Sequence, residues 1–125
     1  MVPILEPEVD ILSPEKARAE ELLKAGIIEQ LSTVPEGQQL MLKISIPTVD
    51  NFYAELMAHP KVLRLVALSG GYHLDEACER LARSHALVAS FSRALIEDLK
   101  AQQNDEEFDA ALHSACAKIL AASIA

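Results

Sequence analysis

A parallel α/β fold is what this sequence predicts, and three observations predict it. Short aliphatic runs alternate four times with stretches of helical periodicity along the 125 residues. The runs are almost continuous in Leu, Ile and Val, as strands buried beneath helices are. The polar groups that break the pattern, Glu6 and Glu8, Lys43, Ser69 to Gly71, and Ser90 to Arg93, fall at or near the carboxyl ends of those runs. That is the end at which parallel folds with right-handed crossovers assemble their sites.

Half the residues are hydrophobic, enough for a core in a chain the length of one ordinary domain, and the chain should form a single unit over residues 1–125 with no second domain. Aromatics are scarce and Trp is absent, so that core must be aliphatic. With 19 acidic residues against 11 basic ones the formal charge is -8, and no Lys/Arg cluster stands out, which argues against a nucleic-acid partner. No apolar run approaches the roughly 18 residues of a membrane span, so a soluble protein without a membrane partner is expected. Cys78 and Cys116 lie on apolar faces of helical stretches without Cys-x-x-Cys spacing, and no signal peptide is visible; both read as reduced core residues of a cytoplasmic protein. His59, His73, His85 and His113 lack metal-ligand spacing, so no metal is expected.

The first run, Val2 to Glu8, reads as a strand stopped by Pro7, with alternation placing Glu6 and Glu8 on one face. Two carboxylates at a strand tip are either solvated loop charges or a pair suited to acid and base work. Ser13-Pro14-Glu15 reads as a helix start, Ser13 capping, and Ala19, Leu22, Leu23, Ile27 and Leu31 form an apolar stripe to about Leu31. Pro35-Glu36-Gly37 then turns into the second run, Leu40 to Pro47.

This run is a strand by its branched aliphatics and flanking Gly37 and Pro47. Leu40, Leu42, Ile44 and Ile46 share one face, Met41, Lys43 and Ser45 the other. Taken alone, the strand favours a lysine that snorkels to water or guards an edge. The sharper reading is a desolvated nucleophilic amine that forms a Schiff base with a carbonyl substrate.

Thr48 can cap a short helix through about Met57, which His59-Pro60 ends. Val62 to Leu68 is the third strand and runs into Ser69-Gly70-Gly71. A double glycine there is either a tight turn or a place where the backbone approaches an anion closely. Asp75 to Ala82 reads as a helix and Ala86 to Ala89 as the fourth strand, followed by Ser90-Phe91-Ser92-Arg93 and a helix carrying Ala94, Leu95 and Leu99. Arg93 at a helix N-terminus is unfavourable for the dipole unless an anion joins it; guanidinium and free N–H groups together suit a phosphate. The last helix starts at a capping box, Asn104 with Glu107, and carries Phe108, Ala111, Leu112, Ala115, Cys116, Ile119 and Leu120 at helical spacing.

Here the residues resemble the class I, Schiff-base fructose-bisphosphate aldolases. Val-Pro-Ile-Leu-Glu-Pro-Glu-Val at 2–9 is similar to the family's fifth barrel strand, Leu-Met-Leu-Lys at 40–43 to its sixth, Leu-Ser-Gly-Gly at 68–71 to its seventh and Ser-Phe-Ser-Arg-Ala-Leu at 90–95 to its eighth. Residues 102–111 resemble the tail of the bacterial branch. The resemblance implies a TIM (β/α)8 barrel of which this chain supplies the C-terminal half, four parallel strands and an extra C-terminal helix. It implies that Lys43 forms the Schiff base with dihydroxyacetone phosphate, that Glu6 moves protons during carbinolamine dehydration and that Glu8 tunes the lysine. Ser69, Gly70, Gly71, Ser92 and Arg93 would bind the substrate phosphate, after the last two strands as barrels commonly do. The implied reaction is the reversible aldol cleavage of fructose 1,6-bisphosphate in glycolysis and gluconeogenesis, without cofactor or metal.

Lys43 is followed by Ile44 where the animal pattern has proline, and Phe91-Ser92 stand where tyrosine and glycine are usual. A barrel of this type takes about 250 residues, so the chain is expected to be a fragment, a separately made half or one subunit of a split barrel. A complementary N-terminal half or a second copy should then cover its exposed edges. Two other functions compete: a different Schiff-base lyase of the barrel class, and a non-catalytic half-barrel assembly module.

Overall fold

The computed structural model describes residues Met1–Ala125. Its centre is a four-stranded, wholly parallel sheet in sequential order, with β1 at Ile4–Leu5, β2 at Leu40–Ser45, β3 at Val62–Leu68 and β4 at Val88–Ala89. Helices α1 (Lys16–Leu31), α2 (Ala54–Met57) and α3 (Leu74–Ala82) lie in the connections; α4 (Arg93–Ile96) and α5 (Asp105–Ser123) follow the last strand. Neighbouring parallel strands joined in order by helical crossovers fit half of a (β/α)8 barrel. No helix is long and apolar enough to cross a membrane.

The two faces of β2 separate as alternation requires. Leu40, Leu42, Ile44 and Ile46 are buried and meet Leu65 and Ala67 of β3, Leu81 of α3 and Leu87 in one aliphatic core. Each buried Leu or Ile contributes about 1.5–3 kcal/mol, which makes this layer the main stabilising element. On the opposite face Met41 and Lys43 stay partly exposed, whereas Ser45 is already covered by Val9 of the same chain.

The edge strands are shorter than their apolar runs. Of Val2 to Glu8 only Ile4–Leu5 pairs, because prolines at 3 and 7 donate no N–H to a ladder. Of Ala86 to Ala89 only Val88–Ala89 pairs: Ala86 sits at φ +65 and the Leu87 N–H turns back to the Ser84 carbonyl. The helix foreseen from Thr48 begins only at Ala54, since Asn51 adopts φ 58, its N–H donating to Ser84 Oγ and its side chain accepting the His85 N–H. Ser13 does not cap α1; Glu15 holds the N-cap position, and Ser13 Oγ accepts the Glu15 N–H in the preceding turn. The helix after β4 is a single turn that ends before Leu99. The capping box of α5 forms in full, Asn104 accepting from the Glu107 N–H and Glu107 from the Asn104 N–H.

Two apolar stripes are narrower than their periodicity suggests. In α5 only Ala115 and Ala122 are buried; Phe108, Cys116 and Leu120 face outward, so Cys116 is not a core residue. Cys78 packs partly against both core clusters. Helix α1 departs furthest. Its buried residues are Lys16, Glu20 and Leu31, while Leu22 is exposed. Lys16 Nζ is ion-paired with Glu20 one turn on and donates to the Ile46 carbonyl at 2.8 Å and to Thr48 Oγ1 at 3.1 Å. Glu20 in turn accepts the Thr48 N–H at 3.0 and 3.2 Å. The pair thus ties the start of α1 to the exit of β2. Beyond it α1 stands off β1, leaving a groove of about 860 Å³ walled by Ile4, Leu5, Leu22 and Ile27.

Two measurements follow from these environments. Glu20→Ala strands the Lys16 ammonium in the interior and should cost about 3–5 kcal/mol in urea-induced unfolding, while Lys16→Met with Glu20→Leu should lose far less. Desolvation by burial, and then the Asp75 charge, push the Cys78 thiol up from its ordinary value, and Cys116 is exposed. Iodoacetamide under mildly alkaline conditions should therefore alkylate Cys116 well before Cys78, as peptide mass mapping will read.

Candidate active site

The parallel register brings the polar groups to one level. Ile4 pairs with Met41 and Leu5 with Leu42, so Glu6 follows beside Lys43 on the face away from the core. Lys43 Nζ donates to Glu6 Oε2 at 3.0 Å, with the lysine side chain one-quarter exposed and the glutamate about half. Across the sheet Lys43 pairs with Val66, and Val66 with Val88, which sets the exits of β3 and β4 on the same side.

These exits border a small, partly open polar cavity of about 140 Å³. Glu6, Glu8 and Lys43 form one wall; Ser69, Gly70, Ser92 and Arg93 form the other, with Leu68 as the single apolar contributor. Seven of the eight residues that the sequence singles out thus come together around one space. Gly71 is the exception and does not line it. Ser90, placed by the sequence at the same strand end without a role of its own, does. The rule that sites gather at carboxyl ends was signal enough to include it.

The turn after β3 needs its glycines. Gly70 and Gly71 sit at φ +64 and +106, the left-handed region that side chains with a Cβ rarely adopt. A Cβ on Gly70 would also stand 3.0 Å from Ile11 Cγ2 and 3.3 Å from Leu68 Cδ1. Ser69, nearly fully buried, closes the turn by accepting the Tyr72 N–H at its carbonyl. On the facing wall Ser92 takes the N-cap position of α4 without a side-chain cap bond, and Arg93 opens the helix, exposed and without a carboxylate partner among the ion pairs. An amine beside carboxylates, a tight glycine turn and a free guanidinium are together what an anionic carbonyl compound requires.

Over 124 residues, 99% of this chain, the sequence is 56% identical to the class 1 fructose-bisphosphate aldolase of Porphyromonas gingivalis. It is 55% identical to that of Clostridium acetobutylicum and 54% to that of Synechocystis sp., again over 124 residues. The chain is homologous to class 1 fructose-bisphosphate aldolases. It spans 41–42% of the length of these relatives. No family model matches it. The likeness to the aldolases covers all four strands and every site position identified above, and the half-barrel architecture agrees with it.

Gly70→Ala tests how far this turn depends on its backbone. The substitution combines a positive φ with the Ile11 contact and should lower stability by roughly 1–3 kcal/mol, seen as a fall in Tm by circular dichroism with no change in secondary-structure content.

Proposed function

We propose that this chain carries the Schiff-base half-site of a class I fructose-bisphosphate aldolase, its residues 1–125 forming the C-terminal half of the barrel. The observation that carries the reading is Lys43 Nζ at 3.0 Å from Glu6 inside a cavity whose far wall holds Arg93 and the glycine turn. The amine of Lys43 adds to the ketone carbon of the sugar phosphate, whose carbonyl oxygen takes up a proton to give a carbinolamine. Glu6, in hydrogen-bond reach of the nitrogen, takes the ammonium's proton as the amine is freed and returns it to that oxygen, which leaves as water, and an iminium ion remains. The iminium is the electron sink for cleavage: the bond between C3 and C4 breaks, its electron pair becomes an enamine, and a carboxylate takes the proton of the C4 hydroxyl as the aldehyde forms. Glu8 lies on the same wall, a second carboxylate for this relay. Arg93, Ser69, Ser92 and the Gly70 backbone hold the substrate phosphate at the opposite side, where Gly71 acts through the turn rather than by contact. The chemistry needs no metal or cofactor.

The substrates are phosphorylated sugars, fructose 1,6-bisphosphate above all, which places the reaction in glycolysis and gluconeogenesis and the chain in the cytoplasm. The partner is a complementary N-terminal half or a second copy. Supporting that association, Val2, Ile4, Leu5 and Leu22 are exposed around β1, an unpaired strand edge beside an open apolar groove.

Borohydride trapping with dihydroxyacetone phosphate, followed by peptide mapping, should label Lys43, and Lys43→Ala should abolish the label. Arg93→Ala should lower the labelling rate at limiting substrate roughly 10-fold or more, the scale of one lost charge-assisted phosphate contact. Labelling by other carbonyl compounds in preference to triose phosphate would indicate a different Schiff-base lyase. A folded sample that never labels, even with a complementary half added, would leave only an assembly module.

A further inference from the structure

The carboxylates of this site hang from an edge strand two residues long. Regular pairing with β2 ends at Leu5, one residue before Glu6 and three before Glu8. Both acids therefore lie on a segment without ladder support of its own, and something beyond β1 must hold it. Ser45 does so. Its hydroxyl accepts the Val9 N–H at 2.8 Å and donates to the Val9 carbonyl at 2.9 Å, so one side chain satisfies both backbone groups of one residue. Ser45 is 1% exposed and Val9 8%, so water does not compete for either bond.

The strap has a second anchor. Two residues past Val9, Ile11 lies against the glycine turn, with Cγ2 and Cδ1 at contact distance from the positions a Cβ would take on Gly70 and Gly71. Residues 6–11 thus cross from the exit of β2 to the exit of β3, fastened at Ser45 and seated on the glycines. Glu6 and Glu8 lie between the end of β1 and the first fastening. Ser45 is two residues beyond Lys43 on the same face of the same strand, so the element that presents the amine also grips the segment that presents the carboxylates.

We propose that Ser45 is a positioning residue, whose hydroxyl clasp on Val9 sets Glu6 and Glu8 against Lys43. Its catalytic meaning rests on the Schiff-base reading above; its geometry does not. A β2 residue with no hydroxyl at this point would leave a buried N–H and a buried C=O without partners, and the strap would lift.

The experiment is zero-length coupling of the whole chain with a water-soluble carbodiimide, read by tryptic mass mapping. The Lys43–Glu6 amide joins residues 1–16 to residues 25–61, because the linked lysine is no longer cleaved. Lys118 Nζ and Asp75 Oδ1, at 2.6 Å on α5 and α3, supply a remote link as internal reference. Ser45→Ala should lower the Lys43–Glu6 yield roughly fivefold against that reference, the population change that one net buried hydrogen bond sustains, and Ser45→Thr should restore it. An undiminished Lys43–Glu6 link in Ser45→Ala overturns the proposal. So does an equal loss of both links, which would make the hydroxyl a prop of the whole fold, and so does failure of Ser45→Thr to rescue. Failure of carbonyl trapping at Lys43 with the coupling pattern as expected would sink the aldolase reading and leave the clasp standing.

Discussion

The site depends on the two-residue alternation of one strand. Leu42, Ile44 and Ile46 are drawn into the core, and that burial fixes the register of β2 against β3. A slip of one residue would carry Lys43 into the aliphatic layer and Leu42 or Ile44 out of it. At about 1.5–3 kcal/mol for each side chain exposed, plus the cost of desolvating an ammonium, such a slip is strongly disfavoured. The lysine is thus aimed by its apolar neighbours. The carboxylates have no such guidance, since β1 is short and open on one side, and they depend on contacts made beyond the strand by Val9 and Ile11.

What the sequence made legible follows from this difference. Strand β2, strand β3 and helix α5 are set by local pattern, aliphatic alternation in the first two and a capping box in the third, and they formed where the pattern put them. The convergence of Lys43, Glu6, Glu8, Ser69, Gly70, Ser92 and Arg93 was also legible, because parallel topology gathers strand exits whatever the details of the strands. What was not legible rests on long-range pairing. Asn51 leaves the helical region through bonds to Ser84 and His85, more than thirty residues away. Ser45 reads only as a residue on the Lys43 face of its strand until Val9 is seen upon it, 36 positions earlier in the chain.

Helix α1 makes the same point through its packing. Its sequence carries an apolar stripe, yet Leu22 lies at the surface and Lys16 and Glu20 lie inside. The periodicity is sound as a statement about one face; it does not say which element meets that face. Here β1 contributes too little surface to cover the stripe, and the groove beside Ile4 and Leu5 stays open. The buried charges are tolerated because each has several partners: Lys16 bonds to a carboxylate, a carbonyl and a hydroxyl, and Glu20 also receives a backbone N–H.

The apolar groove and the polar cavity belong to opposite faces of the sheet and meet at Glu6, and this bears on what an incomplete barrel can do. The cavity is lined by Glu6, Glu8, Lys43 and the exits of β3 and β4, and its walls are polar. The groove is bounded by α1 and an unpaired strand edge, and its walls are mainly aliphatic. Burial of the groove would contribute stability in proportion to apolar area, and Glu6, which borders both spaces, would feel that cover. A covering partner would therefore act first on the persistence of β1, whose two paired residues, with the Met41 N–H bond to the Pro3 carbonyl, link Glu6 to the sheet on its amino side. Chemistry and assembly meet at that short strand: its core-side neighbours call for a partner, and its carboxyl end carries the acids that the lysine needs.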